Sequence, residues 1–223
     1  MCLTMEEDIK KSVLKSGTSI VGIVCKDGVV IAGDRRATAG SIVVTKKTFK
    51  VIQINDYLVT AGTGGAADID LSQRVIAAEL KLKELRTRRR PTIKESASLI
   101  GMMIYRNIRT PSMIPSIVGL LVGGVNEDGS TKLYTIEPAG TVSLVEDFDA
   151  NFGSGMPYIL GLLERQYKKG MSIKEGVELA KECIKSAIER DTGSGNGIDV
   201  FTITKDGVKH VVSEEIVPNY TQK

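Results

Sequence analysis

Two Lys-Asp-Gly triplets, Lys26-Asp27-Gly28 and Lys205-Asp206-Gly207, each separate two runs of apolar, β-branched residues. Asp-Gly readily supplies the positive φ of a tight hairpin turn, so both ends of the chain are expected to form antiparallel strand pairs. The first pair is read over Ser19 to Cys25 and Val29 to Asp34, the second over Ile198 to Thr204 and Val208 to Val212. Folding the first hairpin carries Thr18 and Asp34 to one end of a sheet.

Between the hairpins the periodicity changes twice. Ile42 to Val44, Lys50 to Ile54 and Tyr57 to Ala61 read as strands that continue the sheet. Leu71, Val75, Ala78, Leu82 and Leu85 then recur at helical spacing, as the core face of a long helix ended by Pro91. Thr92-Ile93-Lys94-Glu95 has the capping-box pattern and opens a second helix through Leu99, Met102 and Met103, three residues expected to pack in the inter-sheet or inter-ring layer. Two successive helices are expected to lie antiparallel as one layer. Strand character returns over Ser116 to Val125, Lys132 to Ile136 and Thr141 to Val145, broken by Asn126-Glu127-Asp128-Gly129 and Glu137-Pro138-Ala139-Gly140. A further helix pair follows, Pro157 to Tyr167 and, after the capping box Ser172-Ile173-Lys174-Glu175, on to Glu189. Strands, two helices, strands, two helices, strands is a block order that argues for an α+β fold of antiparallel sheets with helices layered outside.

At 223 residues and 42% hydrophobic composition the chain can bury a sizeable core as one domain. A formal charge of +3 makes no case for nucleic acid, and no apolar run is long enough to span a membrane. Cys2, Cys25 and Cys183 lack the paired spacing of a disulfide framework or metal site, which points to a reducing, cytoplasmic compartment. The polar stretch Met1 to Gly17 has no apolar h-region and reads as a removable propeptide or a loose terminus, leaving one domain over 18–223.

Gly17-Thr18-Ser19-Ile20-Val21-Gly22 places a hydroxyl residue behind a glycine where the first strand begins. Were the Gly17–Thr18 bond cut, Thr18 would hold a nucleophile and a base in one residue. An α-amine has a pKa of about 7.7–8.0, close enough to neutrality to accept the hydroxyl proton. Such chemistry needs no histidine, and the chain has one, His210, in a late strand where packing is the commoner role. Taken alone, Thr18 reads equally as a strand-opening β-branched residue.

Five segments in order then carry a resemblance: Thr18 to Gly22, Gly28 to Arg36, Ala61-Gly62-Thr63-Gly64-Gly65-Ala66-Ala67-Asp68, Gly153-Ser154-Gly155 and Arg190-Asp191-Thr192-Gly193-Ser194-Gly195. Together they resemble the β subunits of the proteasome core particle over nearly all of Thr18 to Val212. The resemblance implies the N-terminal-nucleophile hydrolase fold, a four-layer α-β-β-α sandwich of two antiparallel sheets. It implies Thr18 as nucleophile after cleavage between Gly17 and Thr18, with Asp34 and Lys50 as its acidic and basic partners. Ser154, Asp191 and Ser194 match the auxiliary residues near the threonine amine, and Gly64 matches the glycine whose amide faces the scissile carbonyl oxygen. Ser19 and Ile20 depart from the further threonines many active members carry.

The resemblance also implies a specificity pocket from Ala37, Thr45, Thr48, Ile52, Gly62 and Asp70. Small residues at Ala37 and Gly62 suggest a roomy pocket and a preference for large or basic residues before the cut. Asp70 is equally a first-turn helix acid. Implied partners are α-type and β-type subunits in stacked seven-membered rings, unfolded polypeptide substrates and an ATP-dependent unfoldase cap, with no cofactor, metal, nucleic acid or membrane. An unprocessed, catalytically silent ring subunit is the alternative, and the simpler two-ring bacterial relative a weaker one. Gly153-Ser154-Gly155 lacks the last glycine of a phosphate loop, where Tyr158 stands. Arg86, Arg88, Arg89 and Arg90 form a basic cluster without interleaved aromatics, read as a helix end or a contact with a neighbouring subunit.

Overall fold

The first hairpin joins β1 (Ile20–Cys25) to β2 (Gly28–Asp34), with Cys25 paired to Gly28 across a two-residue turn. The turn does not use a positive φ at Asp27 or Gly28. Glycine is needed there for space instead, because a Cβ at Gly28 would run into the carbonyl oxygen of Ile203. The closing hairpin, β11 (Gly197–Thr204) and β12 (Gly207–Glu215), does use one, with Gly207 at φ 104°. These strands form one sheet in the order β10-β1-β2-β11-β12, in which β10 (Phe148–Asp149) is a two-residue edge that the sequence pattern did not reveal. This computed structural model describes residues 17–217. The propeptide expected over Met1 to Gly17 therefore lies outside the described residues except for Gly17.

The middle strands do not continue that sheet. β3 (Ala37–Ala39) and β4 (Ile42–Thr45) pair only with each other, and β4 is exposed along its length. β5 (Val51–Asn55), β6 (Leu58–Gly64), β7 (Val118–Val125), β8 (Thr131–Ile136) and β9 (Val142–Val145) form a second antiparallel sheet in sequential order. The two five-stranded sheets lie face to face, with Ile20, Val29, Ile31 and Phe201 of the first packed in one core with Leu120, Leu121 and Val122 of the second. β7 is buried at every residue because both faces are covered. Burying each such Leu or Ile contributes about 1.5–3 kcal/mol before chain entropy is subtracted.

Helices cover the outer faces. α1 (Ala66–Thr87) and α2 (Ile93–Arg109) lie on the second sheet; α3 (Met156–Gln166) and α4 (Ile173–Ile188) lie on the first, where Ile159, Leu163, Leu179 and Ile184 meet Val21, Ile23 and Val30. The layers run helix, sheet, sheet, helix. Both capping boxes form: Thr92 Oγ1 accepts from Glu95 N and Ser172 Oγ from Glu175 N, and each glutamate accepts from the cap amide. Such caps are worth about 1 kcal/mol each.

α1 is turned the other way from the expectation. Leu71, Val75, Leu82 and Leu85 are exposed, and Ser72, Gln73, Ile76 and Leu80 face the sheet. The helix also stops at Thr87, where Arg88 takes a left-handed φ of 53°, rather than at Pro91. In α2, Leu99 and Met103 pack against the core, but Met102 is exposed. The basic cluster is partly spent within the chain. Arg89 grips Glu95 through both guanidinium nitrogens, while Arg90 lies over the Tyr57 ring at 3.8 Å and donates to the Val125 carbonyl. Among the described residues no helix is long and apolar enough to cross a membrane.

Candidate active site

The two sheets bring their chemistry-bearing residues to one end. Thr18 and Ser19 lead into β1, and Asp34 ends β2 beside them, its amide donating to Ser19 O at 3.1 Å. Lys50 enters from the second sheet just before β5, tied by its carbonyl to Gly62 N at 3.0 Å. The loop before α3 supplies Ser154, and the loop between α4 and β11 supplies Asp191 and Ser194. Residues far apart in sequence thus converge because one end of each sheet is shared.

Around the unbroken Gly17–Thr18 bond the geometry is specific. Thr18 Oγ1 donates to the Gly17 carbonyl oxygen at 2.8 Å, and Lys50 Nζ donates to the same oxygen at 2.9 Å. The Gly17 amide donates to Thr38 Oγ1 at 2.9 Å, and the Thr18 amide to Ser154 Oγ at 3.0 Å. Gly17 packs directly on Gly193, where a Cβ on either residue would overlap the other's backbone. Thr18 is 3% exposed.

Asp34 is fully buried and accepts four donors. Oδ1 takes Lys50 Nζ at 2.6 Å and Ser19 N at 2.9 Å; Oδ2 takes Arg36 N and Gly195 N, each at 2.9 Å. Burial pushes the Lys50 ammonium below the ordinary lysine range, against the opposing pull of the Asp34 charge and hydrogen bond. On the other side of Thr18, Asp191 Oδ2 accepts from Ser154 Oγ at 2.6 Å and from Ser194 Oγ at 2.5 Å, and its Oδ1 accepts from Gly193 N at 3.1 Å. Ser194 Oγ also lies 2.7 Å from Ser19 Oγ. A continuous chain of hydroxyls and one carboxylate therefore runs from the Thr18 nitrogen to Ser19.

Among the described residues, the two cysteines and the histidine lie away from this site. Burial pushes the Cys25 and Cys183 thiols up to about 12. His210 Nε2 lies 2.9 Å from Asp199 Oδ1 and its ring stacks on Phe201 at 4.3 Å, while Arg35 holds the same carboxylate. The imidazole is thus held at a partly exposed position against the buried Asp199–Arg35 pair.

A cavity of about 390 Å³ opens beside Thr18 and takes in Gly17, Ala37, Thr48, Lys50, Ile52, Gly62 and Asp70. Thr45 does not line it; that residue stands in exposed β4, opposite Ala37. Lys47, Phe49, Ala66, Ile69 and Gln73 complete the lining. The space left by the missing Gly62 side chain is filled by Ile69, so the pocket is shallower there than a glycine suggests. Asp70 is two-thirds exposed, its carboxylate 2.6 Å from Arg74. Gly64 lies on the far side of Thr18, at φ 117° and against the Ile117 carbonyl, where any side chain would be strained and crowded.

Two residues of the site carried no sequence signal of their own. Ser19 extends the hydroxyl chain. Asn151, at φ 49° and 7% exposed, accepts from Thr63 Oγ1 at 2.9 Å and from Phe152 N at 2.8 Å, and donates to Thr135 Oγ1 at 2.9 Å. It ties the Phe152-Gly153-Ser154 turn to the second sheet.

The whole sequence compares with known proteins in the same sense. A family profile described as "Proteasome subunit" matches residues 14–203. The chain is 38% identical to a protein named "Proteasome subunit beta" from Methanopyrus kandleri, over 91% of this chain and 95% of that protein. A protein of the same name from Archaeoglobus profundus is 40% identical, with 94% of each chain covered. Another from Nanoarchaeum equitans is 37% identical over 88% of this chain and 98% of that one.

Proposed function

This chain belongs to the proteasome family, as a β subunit of the core particle, and from that premise we propose that it is an active threonine endopeptidase exposed by cleavage of its own Gly17–Thr18 bond. The observation that carries the reading is the pair of hydrogen bonds on the Gly17 carbonyl, from the Thr18 hydroxyl and the Lys50 ammonium. In the precursor, Thr18 Oγ1 adds to the Gly17 carbonyl carbon, and the Lys50 ammonium meets the negative charge growing on the oxygen. The C–N bond breaks, the Thr18 nitrogen takes the proton the hydroxyl gave up, and an ester joins Gly17 to Oγ1. Water cleaves that ester and leaves a Gly17 carboxylate and a free N-terminal threonine.

In turnover the freed amine is the base. It takes the Oγ1 proton as the hydroxyl attacks a substrate carbonyl, then passes it to the departing amine when the C–N bond breaks. Water hydrolyses the resulting acyl ester. Asp34 holds Lys50, whose ammonium favours the neutral amine and the developing alkoxide. Ser154, Asp191 and Ser194 orient the amine, and the Gly64 amide stabilises the substrate oxyanion. Phe49, Ile52 and Ile69 favour a large apolar residue before the cut, and the Asp70–Arg74 pair weakens the case for a basic one.

The apolar stripe of α1 supports docking on neighbouring subunits, here α-type and β-type rings enclosing the threonines in a chamber. Unfolded polypeptides are the substrates, an ATP-dependent unfoldase cap the feeder and the cytoplasm the compartment. Intact mass of the assembled particle, with a peptidase assay on the same sample, tests the reading. Loss of residues 1–17 with hydrolysis supports it; a retained leader in inactive particles favours the silent ring subunit.

A further inference from the structure

Arg35 follows Asp34 at the end of β2 and is bonded through its main chain to two further segments that carry site residues. Its amide donates to the Gly195 carbonyl at 3.1 Å, one residue past Ser194, and its carbonyl accepts from Thr48 N at 3.0 Å, two residues before Lys50. We infer that Arg35 is a positioning residue for both leader removal and peptide turnover, holding Asp34, Lys50 and the 191–195 loop in register from outside the site. The inference rests on the threonine peptidase reading.

What fixes Arg35 itself lies on β11 and β12. Its guanidinium forks onto Asp199, Nε to Oδ2 at 2.7 Å and Nη2 to Oδ1 at 2.5 Å, and Nη2 also donates to Ser213 Oγ at 2.7 Å. Arg35 is 8% exposed and Asp199 1%, so the pair is shielded from water. A two-pronged bond of this kind sets the orientation of the arginine as well as its distance. The stem of the side chain runs along Gly197, where an added Cβ would meet Arg35 Cδ at 2.5 Å, and its Cζ lies 5.3 Å from the centre of the Phe49 ring. Arg35 is thus wedged between β11 and the segment that carries Lys50, and a shift of its main chain pulls on both bonded loops. Misplacing reacting groups by about 1 Å costs on the order of 10²-fold in rate.

The test compares assembled particles of the parent and two variants. Removing one member of a buried ion pair strands the charge of the other, so the first variant removes both: Arg35→Met with Asp199→Leu keeps the volume and loses the fork. Its thermal midpoint is expected within about 5 °C of the parent. Its kcat for a fluorogenic peptide and its rate of leader removal, followed by intact mass, are each expected to fall by about tenfold or more. KM is expected to change by less than about threefold, since Ile52, Ile69 and Gln73 of the substrate cavity stand on β5 and α1. The second variant, Arg35→Lys, keeps the buried charge but cannot fork onto both carboxylate oxygens, and the same fall in kcat is expected. Its result decides alone if the double variant fails to assemble. A role confined to packing would move the thermal midpoint and leave kcat at the parental value; parental kcat in either variant overturns the inference and leaves the peptidase reading standing. Absence of Thr18-dependent hydrolysis in the parent overturns that reading and this inference with it.

Discussion

The Lys50 ammonium lies 2.9 Å from the carbonyl oxygen of Gly17, the residue on the other side of the bond that frees Thr18. The lysine is buried, and among the described residues its counter-charge within hydrogen-bond reach is Asp34 at 2.6 Å. Desolvation of this kind is costly unless the ammonium has a partner on each side. Here one partner is the carboxylate and the other the carbonyl to be attacked.

Thr18→Ala is expected to keep residues 1–17 attached and to abolish hydrolysis by this subunit while assembly survives, because the attacking hydroxyl serves both reactions. Thr18→Ser keeps hydroxyl and amine and retains part of the activity. Mass spectrometry of assembled particles, paired with peptide hydrolysis, reads both. A Thr18→Ala protein that still loses its leader would sink the assignment.

Lys50 gives a pH signature. Its ammonium form makes the bond to the carbonyl, so activity falls as pH rises through the Lys50 pKa, which burial has lowered. The alkaline limb of kcat/KM is therefore expected below the ordinary lysine value of about 10.4, and the acid limb from the Thr18 amine below its ordinary range of about 7.7–8.0, because the Lys50 ammonium favours the neutral amine. Asp34→Asn removes the influence that raises the Lys50 pKa, and the alkaline limb moves to lower pH. Lys50→Arg lowers turnover by about 10² or more, since a planar guanidinium does not fit a compact ammonium site. An Asp34→Asn profile that shifts upward contradicts the pairing.

Gly17→Ala is expected to slow leader removal by about tenfold or more, because its Cβ would overlap the backbone of Gly193 and displace the scissile carbonyl from Lys50 and Thr18. Residual precursor is quantified by intact mass against time after assembly. Processing at the parent rate would show that the two glycines need not be in contact when the bond is cut.

The stripe on α1 links packing to activity. Leu82→Glu places a charge on an exposed helix face, so the stability of the isolated chain should change by no more than about 0.5 kcal/mol. Assembly should be lost, and hydrolysis with it. Size-exclusion chromatography with a peptide assay on each fraction is the check. Activity that tracks a monomer of 24.0 kDa argues against the compartment.

Local signals are legible where a few neighbouring residues decide the outcome. Thr92 with Glu95 and Ser172 with Glu175 form the expected caps, because a capping box is satisfied within its own turn. The 191–197 loop, although rich in glycine, is held within the chain by Gly195 N to Asp34 and by Arg36 to Thr192 O and Asn196. Periodicity placed the helix at Leu71 to Leu85 but not its orientation. Helical spacing says that one face is apolar; which face is covered depends on what packs against it, and here the sheet takes Ile76 and Leu80.

Sequence by itself determined the antiparallel hairpins and the two capped helix starts, whereas Thr18, Asp34, Lys50, Ser154, Asp191 and Ser194 came together as a set only through the family resemblance. Hydrogen bonding over one turn and alternation along one strand are local, so they are legible without a fold. Only the tertiary structure decided that Lys50 shares the Gly17 carbonyl with Thr18, that Ile69 fills the space at Gly62, that Asn151 anchors the Phe152 turn, and that Thr45 stands away from the cavity. The first two are contacts between segments from different layers or sheets, and Asn151 holds its turn by reaching Thr63 and Thr135 of the second sheet. Their distances are fixed by how the sheets stack, and no spacing along the chain encodes that.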